Sequence, residues 1–129
     1  MSADIPPVAH NTVCVDFDGT IFQWGDIYAK TPPFNGCVEV VRELRKQGWT
    51  IVIFTSRLSP TWWESEGWTF DEAMETQVKF IRSRLDEFGI PYDYITAEKV
   101  PAEYYIDDKA IGFDGKAGSW KAIGKRILK

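Results

Sequence analysis

The chain has 129 residues, enough for one domain with a real hydrophobic core, and its 44% hydrophobic and 26% charged composition excludes a disordered protein. A formal net charge of -4 and a pI of about 5.0 argue against a partner gripped mainly through nucleic-acid phosphates, while leaving room for a small basic funnel at a site. Two cysteines make no disulfide framework, the N-terminal MSADIPPVAHNT is not a secretory leader, and no apolar run approaches the ~20 residues of a spanning helix. The expectation is a cytoplasmic protein without membrane contact, with Cys14 and Cys37 reduced in the core and His10 on the surface.

No repeat, low-complexity tract or long linker divides the chain, so residues 1–129 read as a single domain. After an N-terminal arm (residues 1–11), the apolar run at 12–17 reads as a short buried strand. A Pro-Pro loop leads to Asn35, a candidate N-cap, and Val38, Val41 and Leu44 follow at helical spacing until Gly48. TIVIF at 50–54 is a second buried strand, and a polar and aromatic loop with Trp62, Trp63 and Trp68 follows over 58–70. Thr69 with Glu72 three residues on is a capping box. The helix it opens carries Met74, Val78, Ile81, Leu85 and Phe88 on one face, and Gly89 stops it. Residues 92–96 and 103–106 read as further strands, 110–113 as an edge strand, Asp114-Gly115 as a turn, and Ser119 as the cap of a last helix.

Strands alternating with helices predict an α/β fold: a three-layer, Rossmann-like, mostly parallel sheet with helices on both faces. In such sheets ligands sit beyond the carboxyl ends of the strands. Those ends carry Asp16-Phe17-Asp18, Thr55-Ser56-Arg57, Lys99 and Asp107-Asp108. Each alone is ordinary: Asp-Gly marks turns, Thr-Ser caps loops, and lysines cover surfaces. Together, four strand ends deliver acids, hydroxyls and a cation to one edge. Carboxylates so gathered repel without a counter-ion, and an all-oxygen set suits Mg2+ rather than zinc. The same set suits an anionic phosphoryl group, with one carboxylate free to act as a nucleophile.

These motifs resemble those of the haloacid dehalogenase (HAD) superfamily of phosphotransferases. Asp16-Phe17-Asp18-Gly19-Thr20 matches the first motif, Thr55 with Ser56 the second, Lys99 in AEKVPAEYYIDD the third, and Asp107-Asp108 the fourth. The order agrees and the likeness spans nearly the whole chain. The resemblance implies a magnesium-dependent phosphohydrolase that cleaves a phosphate monoester through an aspartyl-phosphate. Asp16 is then the nucleophile and a metal ligand. Asp18 is the acid and base, with its backbone carbonyl on the metal. Thr55, Ser56 and Lys99 bind the phosphoryl group, Asp107 completes the metal shell, Asp108 supports it, and Gly19 allows the tight turn after the catalytic pair. An aspartate at position 18 further separates this chain from relatives that cleave carbon–halogen bonds or pump ions.

Lys109 rivals Lys99, which is preferred because the lysine precedes the acidic pair in the superfamily. Arg57 reads equally as a substrate contact or as the partner of an acid. Only 36 residues separate Asp18 from Thr55, so no cap domain fits. The open site suits a nucleotide, a nucleic-acid end, a sugar phosphate or a phosphoprotein. Trp24 and Tyr28 are candidates for touching the leaving group, and the Trp62, Trp63, Trp68 loop is a lid, a substrate platform or a homo-oligomer contact. Two rival functions remain: a phospho-accepting receiver-type module, which would carry its accepting aspartate on the third strand, and a catalytically inactive HAD-like binding scaffold.

Overall fold

The computed structural model describes residues 9–128, so most of the N-terminal arm lies outside the described residues. Four parallel strands, β1 (Thr12–Asp16), β2 (Thr50–Phe54), β3 (Tyr94–Thr96) and β4 (Tyr104–Ile106), form one sheet in the order β3-β2-β1-β4. The helices are α1 (Cys37–Lys46), α2 (Pro60–Ser65), α3 (Phe70–Ala73), α4 (Lys79–Glu87) and α5 (Ser119–Ile127). The fold is α/β and Rossmann-like, with no cap domain among the described residues: a flap and α1 fill the β1–β2 connection, and a short crossover joins β3 to β4. Among the described residues, no helix is long and apolar enough to cross a membrane.

Alternation along the strands decides the packing. Val13 and Val15 of β1 and Ile51 and Ile53 of β2 form one cluster with Val41 of α1 and with Ile81 and Leu85 of α4. Phe17, Ile21 and Phe22 extend that core to the carboxyl edge of the sheet. On the other side of β1, Cys14 is buried as a free thiol, while Cys37 is half-buried and packs against the core, also free. There Thr12 and Val52 line a cavity of about 600 Å3 together with Val100 and Pro101 of the β3–β4 crossover. The C-terminal α5 buries no residue.

Several local expectations change. Asn35 does not cap α1; Gly36 holds that position in the left-handed region (φ 83°), without a side-chain cap bond. Gly118, likewise left-handed, takes the cap position expected for Ser119, whose hydroxyl bonds Asp114 instead. The segment 110–113 is not a strand: Gly112 interrupts it and none of its residues is buried, so β4 is the sheet's edge. Within the presumed loop at 58–70, Pro60 starts helix α2 in the first turn, where proline loses no helical hydrogen bond, and Trp63 anchors it by donating to the Leu58 carbonyl (3.1 Å).

The capping box of Thr69 and Glu72 forms as expected. Its helix contains a π turn, Met74–Val78, between α3 and α4. Ahead of α4 the buried face therefore shifts by one residue, to Ala73 and Gln77, leaving Met74 and Val78 half-buried. Thr69→Ala removes the acceptor for the Glu72 N–H, and we expect a loss of about 1 kcal/mol, read as a lowered urea midpoint at unchanged slope.

Candidate active site

The strand order places the site. From β1 the chain steps outward to β2 and β3, then returns across β1 to lay β4 on the opposite flank. That reversal opens a crevice at the carboxyl ends of β1 and β4. Register sets what faces it. Val15 pairs with Ile106, so Asp16 and Asp107 follow side by side, and Asp16 pairs with Phe54, so Thr55 stands one step beyond.

One carboxylate oxygen from each of Asp16, Asp107 and Asp108 lies within 4.8 Å of the others. Asp16 is half-buried, and its Oδ1 accepts from the Phe17 N–H at 2.9 Å. Burial, reinforced by the charges of Asp107 and Asp108, pushes its pKa to about 7. Asp108 goes the other way. Its slight burial opposes ionisation, but the Trp24 indole N–H (3.0 Å), Lys109 and Asp16 hold it below the ordinary range. A proton at this centre therefore sits on Asp16, with Asp108 as acceptor. Three carboxylates this close form an all-oxygen set that fits a hard divalent cation.

Thr20 stitches the two strand ends together: its hydroxyl donates to Asp16 (3.4 Å) and accepts from the Asp108 N–H (3.2 Å). Gly19 has a φ of +77°, and a Cβ there would lie 2.3 Å from the Trp24 Nε1 and 2.5 Å from an Asp108 oxygen. Only glycine fits this position, through both its conformation and the closeness of its neighbours.

The other expected residues are distributed unevenly. Thr55 is buried, and its oxygen accepts from the Arg57 N–H (3.1 Å) as cap of the short turn Ser56–Leu58; its hydroxyl proton remains free to donate. Ser56 opens onto a cavity of about 170 Å3 shared with Asp18, Trp24, Gly25, Ile27, Arg57 and Trp62. Lys99 lines a second cavity with Asp16 and Asp107 and places its ammonium over the Tyr105 ring at 5.2 Å. Among the described residues it forms no ion pair, whereas its rival Lys109 lies 3.9 Å from Asp108.

The Asp18 carboxylate stands apart from the acidic cluster. Both its oxygens accept from Arg57, at 2.7 and 2.9 Å. Arg57, left open from sequence, is thus the partner of a site acid, buried to 8% exposure. The tryptophans divide: Trp62 lines the smaller cavity, Trp68 meets it edge-on, and Trp63 belongs to the core. Thr20 and Gln77 had no role in the sequence reading. Thr20 carries a signal in the first motif; Gln77 carries none, because it enters the site region only through the π turn.

Fold and site together define a capless α/β protein with an acidic centre at the switch point of a Rossmann-like sheet. No family model matches the chain, and no curated protein matches it. Among solved structures, a target protein from Vibrio cholerae is 31% identical over 78% of this chain and 81% of its own, with a TM-score of 0.57; this chain belongs to its family. A conserved protein from Bacteroides thetaiotaomicron is similar in fold, at 21% identity over 90% of this chain and 88% of its own and a TM-score of 0.52. The D,D-heptose 1,7-bisphosphate phosphatase from B. bronchiseptica, complexed with magnesium and phosphate, aligns more loosely, at 20% identity over 89% of this chain and 62% of its own and a TM-score of 0.44. That last likeness is too weak to carry an activity across.

Proposed function

We propose that this chain is a capless phosphohydrolase of the haloacid dehalogenase superfamily that cleaves phosphate monoesters in the presence of magnesium. The carrying observation is the meeting of Asp16, Asp107 and Asp108 within 4.8 Å, with Asp16 holding a proton up to about pH 7. A carboxylate that retains its proton because it is half-buried beside negative neighbours becomes a free nucleophile once a cation takes the proton's place.

In this reading Asp16, Asp107 and Asp108 would hold the ion, together with the Asp18 backbone carbonyl. Bound there, Mg2+ supplies positive charge against the phosphoryl oxygens and keeps Asp16 ionised. An Asp16 carboxylate oxygen attacks phosphorus, the ester P–O bond breaks as Asp18 gives its proton to the leaving oxygen, and an aspartyl-phosphate remains on Asp16. Water then attacks that phosphorus, the bond to Asp16 breaks, inorganic phosphate leaves, and Asp18 takes the proton of the water. The Thr55 hydroxyl and Ser56 donate to phosphoryl oxygens, and Lys99 neutralises charge from the cavity it shares with Asp16. The cavity between Trp24 and Trp62 receives the leaving group of a phosphorylated substrate.

Turnover of an aryl phosphate tests this directly. The wild-type protein releases phosphate only with Mg2+, EDTA stops it, and Asp16→Asn lowers the rate by at least about 10³-fold. Equal rates for the two proteins, or a rate indifferent to metal, would sink the proposal.

A further inference from the structure

The last helix covers nothing, and one groove on the body has no cover. In α5 the apolar side chains Trp120, Ile123 and Ile127 recur at i, i+3 and i+7, which lines them up as a stripe along one face. None of them is buried; Trp120 is 74% exposed and Ile127 57%. The chain ahead of the helix is folded on itself. Asp114 accepts from the Lys116 N–H (2.9 Å) and from the Ser119 hydroxyl, and the Phe113 ring lies 5.7 Å from that of Trp120. On the body, Phe34, Cys37, Val40, Leu44 and Ile106 line a mostly apolar groove of about 310 Å3 between α1 and β4, and no residue of α5 lines it. Phe34, Val40 and Ile106 are all exposed there.

Charge divides along the same boundary. Four of the 15 basic residues and none of the 19 acids fall in residues 119–129, which leaves a formal -8 on residues 1–118. Helical geometry sets Lys121 and Lys125 on one flank of the stripe and Arg126 on the other. Beside the groove, Glu39 and Glu43 stand one turn apart on α1, next to Val40. Among the described residues none of these five charges forms an ion pair. We propose that α5 of a second copy seats its stripe in the α1–β4 groove, and that a two-fold axis makes the exchange reciprocal. A helix of 9 residues is too short to be stable in water without a covered apolar face. The folded turn at 113–119 holds it off the groove of its own chain, and a second copy answers both surfaces at once. Lys121 and Lys125 then meet Glu39 and Glu43, which selects an acidic body and sets the helix's orientation. Two such dockings remove on the order of 1,500 Å2 from water, the size of a standard stable interface. An anionic lipid surface would cover the stripe but leave the groove bare.

Sedimentation equilibrium of the full chain at micromolar concentrations tests this. Wild type is a dimer. Trp120→Ala/Ile127→Ala and, separately, Val40→Asp weaken association by at least about 10-fold. All three side chains are more than half exposed, so melting temperatures stay close to wild type. Lys121→Glu/Lys125→Glu and Glu39→Lys/Glu43→Lys each weaken the dimer by about 10-fold at low salt, and mixing these two variants restores it. A monomeric wild type overturns the proposal. So does a dimer that Val40→Asp leaves intact, which pairs α5 with α5, or a mixture of the charge variants that stays monomeric. A monomer that binds phosphatidylserine vesicles through Trp120 overturns it in favour of a lipid surface. A monomer whose α5 amides resist hydrogen exchange overturns it in favour of the chain's own groove. If Val40→Asp melts early, the mixture of charge variants carries the decision, because it alters only exposed charges.

Discussion

Replacing Asp16 by asparagine raises the melting temperature of the metal-free protein at pH 8 by about 5–10 °C while it removes turnover. In the folded chain Asp16 keeps its proton up to about pH 7, against an ordinary value of 3.8. Near pH 3 both folded and unfolded chains are protonated there, and the group is neutral to stability. Between those two values the unfolded chain releases the proton and the folded chain holds it, so stability falls as pH rises. The loss is complete above the folded value. The full shift corresponds to about 4 kcal/mol, and partial exposure of the side chain to water halves it to about 2 kcal/mol. Asparagine cannot ionise, so its melting temperature loses this pH dependence. Melting curves in EDTA at pH 5 and pH 8 read the effect, and parallel pH profiles for the two proteins would contradict it. The pattern is that of a site strained by its own charge, in which function and stability draw on the same carboxylate in opposite directions.

Gly19→Ala is expected to damage fold and site together. The left-handed backbone at +77° costs an alanine about 1–2 kcal/mol, and the added methyl meets Trp24 and Asp108 well inside contact distance. Trp24 is 56% exposed and can swing outward, which relieves the clash by breaking its hydrogen bond to Asp108. Asp108 then shifts relative to Asp16. A displacement of about 1 Å among reacting groups lowers turnover by about 10²-fold. The outcome is read as a lower melting temperature, a red-shifted tryptophan emission and a reduced kcat. An alanine variant with wild-type kcat would show that the Trp24–Asp108 contact does not hold the site.

How far the molecule was legible from its residues depends on the range of the interactions involved. The strands at β1 and β2 announced themselves because apolar runs bounded by polar residues have few other uses, and register then carried Asp16, Thr55 and Asp107 to one rim without further information. The capping box of Thr69 was equally plain, since its chemistry is local. Legibility failed where a choice depended on distant partners. The role of Arg57 is decided by Asp18, Ile27, Gln77 and two aromatic rings that meet it only after folding. Gln77 owes its place to a π turn, which 3.6-residue periodicity passes over. Gly36 displaced Asn35 at the start of α1 because the backbone there turns left-handed, where glycine is cheapest. The segment 110–113 had the composition of a strand, but a strand also needs a neighbour and a surface to cover, and neither is within its reach.

Two of the three clustered acids follow directly on β4, one of the sheet's two edge strands, which is joined to its neighbour over three paired positions and leaves Tyr104, Tyr105 and Ile106 wetted by solvent. Rims of this kind peel away long before a core melts. A cation gripping both strand ends would thus also work as a clasp, closing the sheet along its β4 edge.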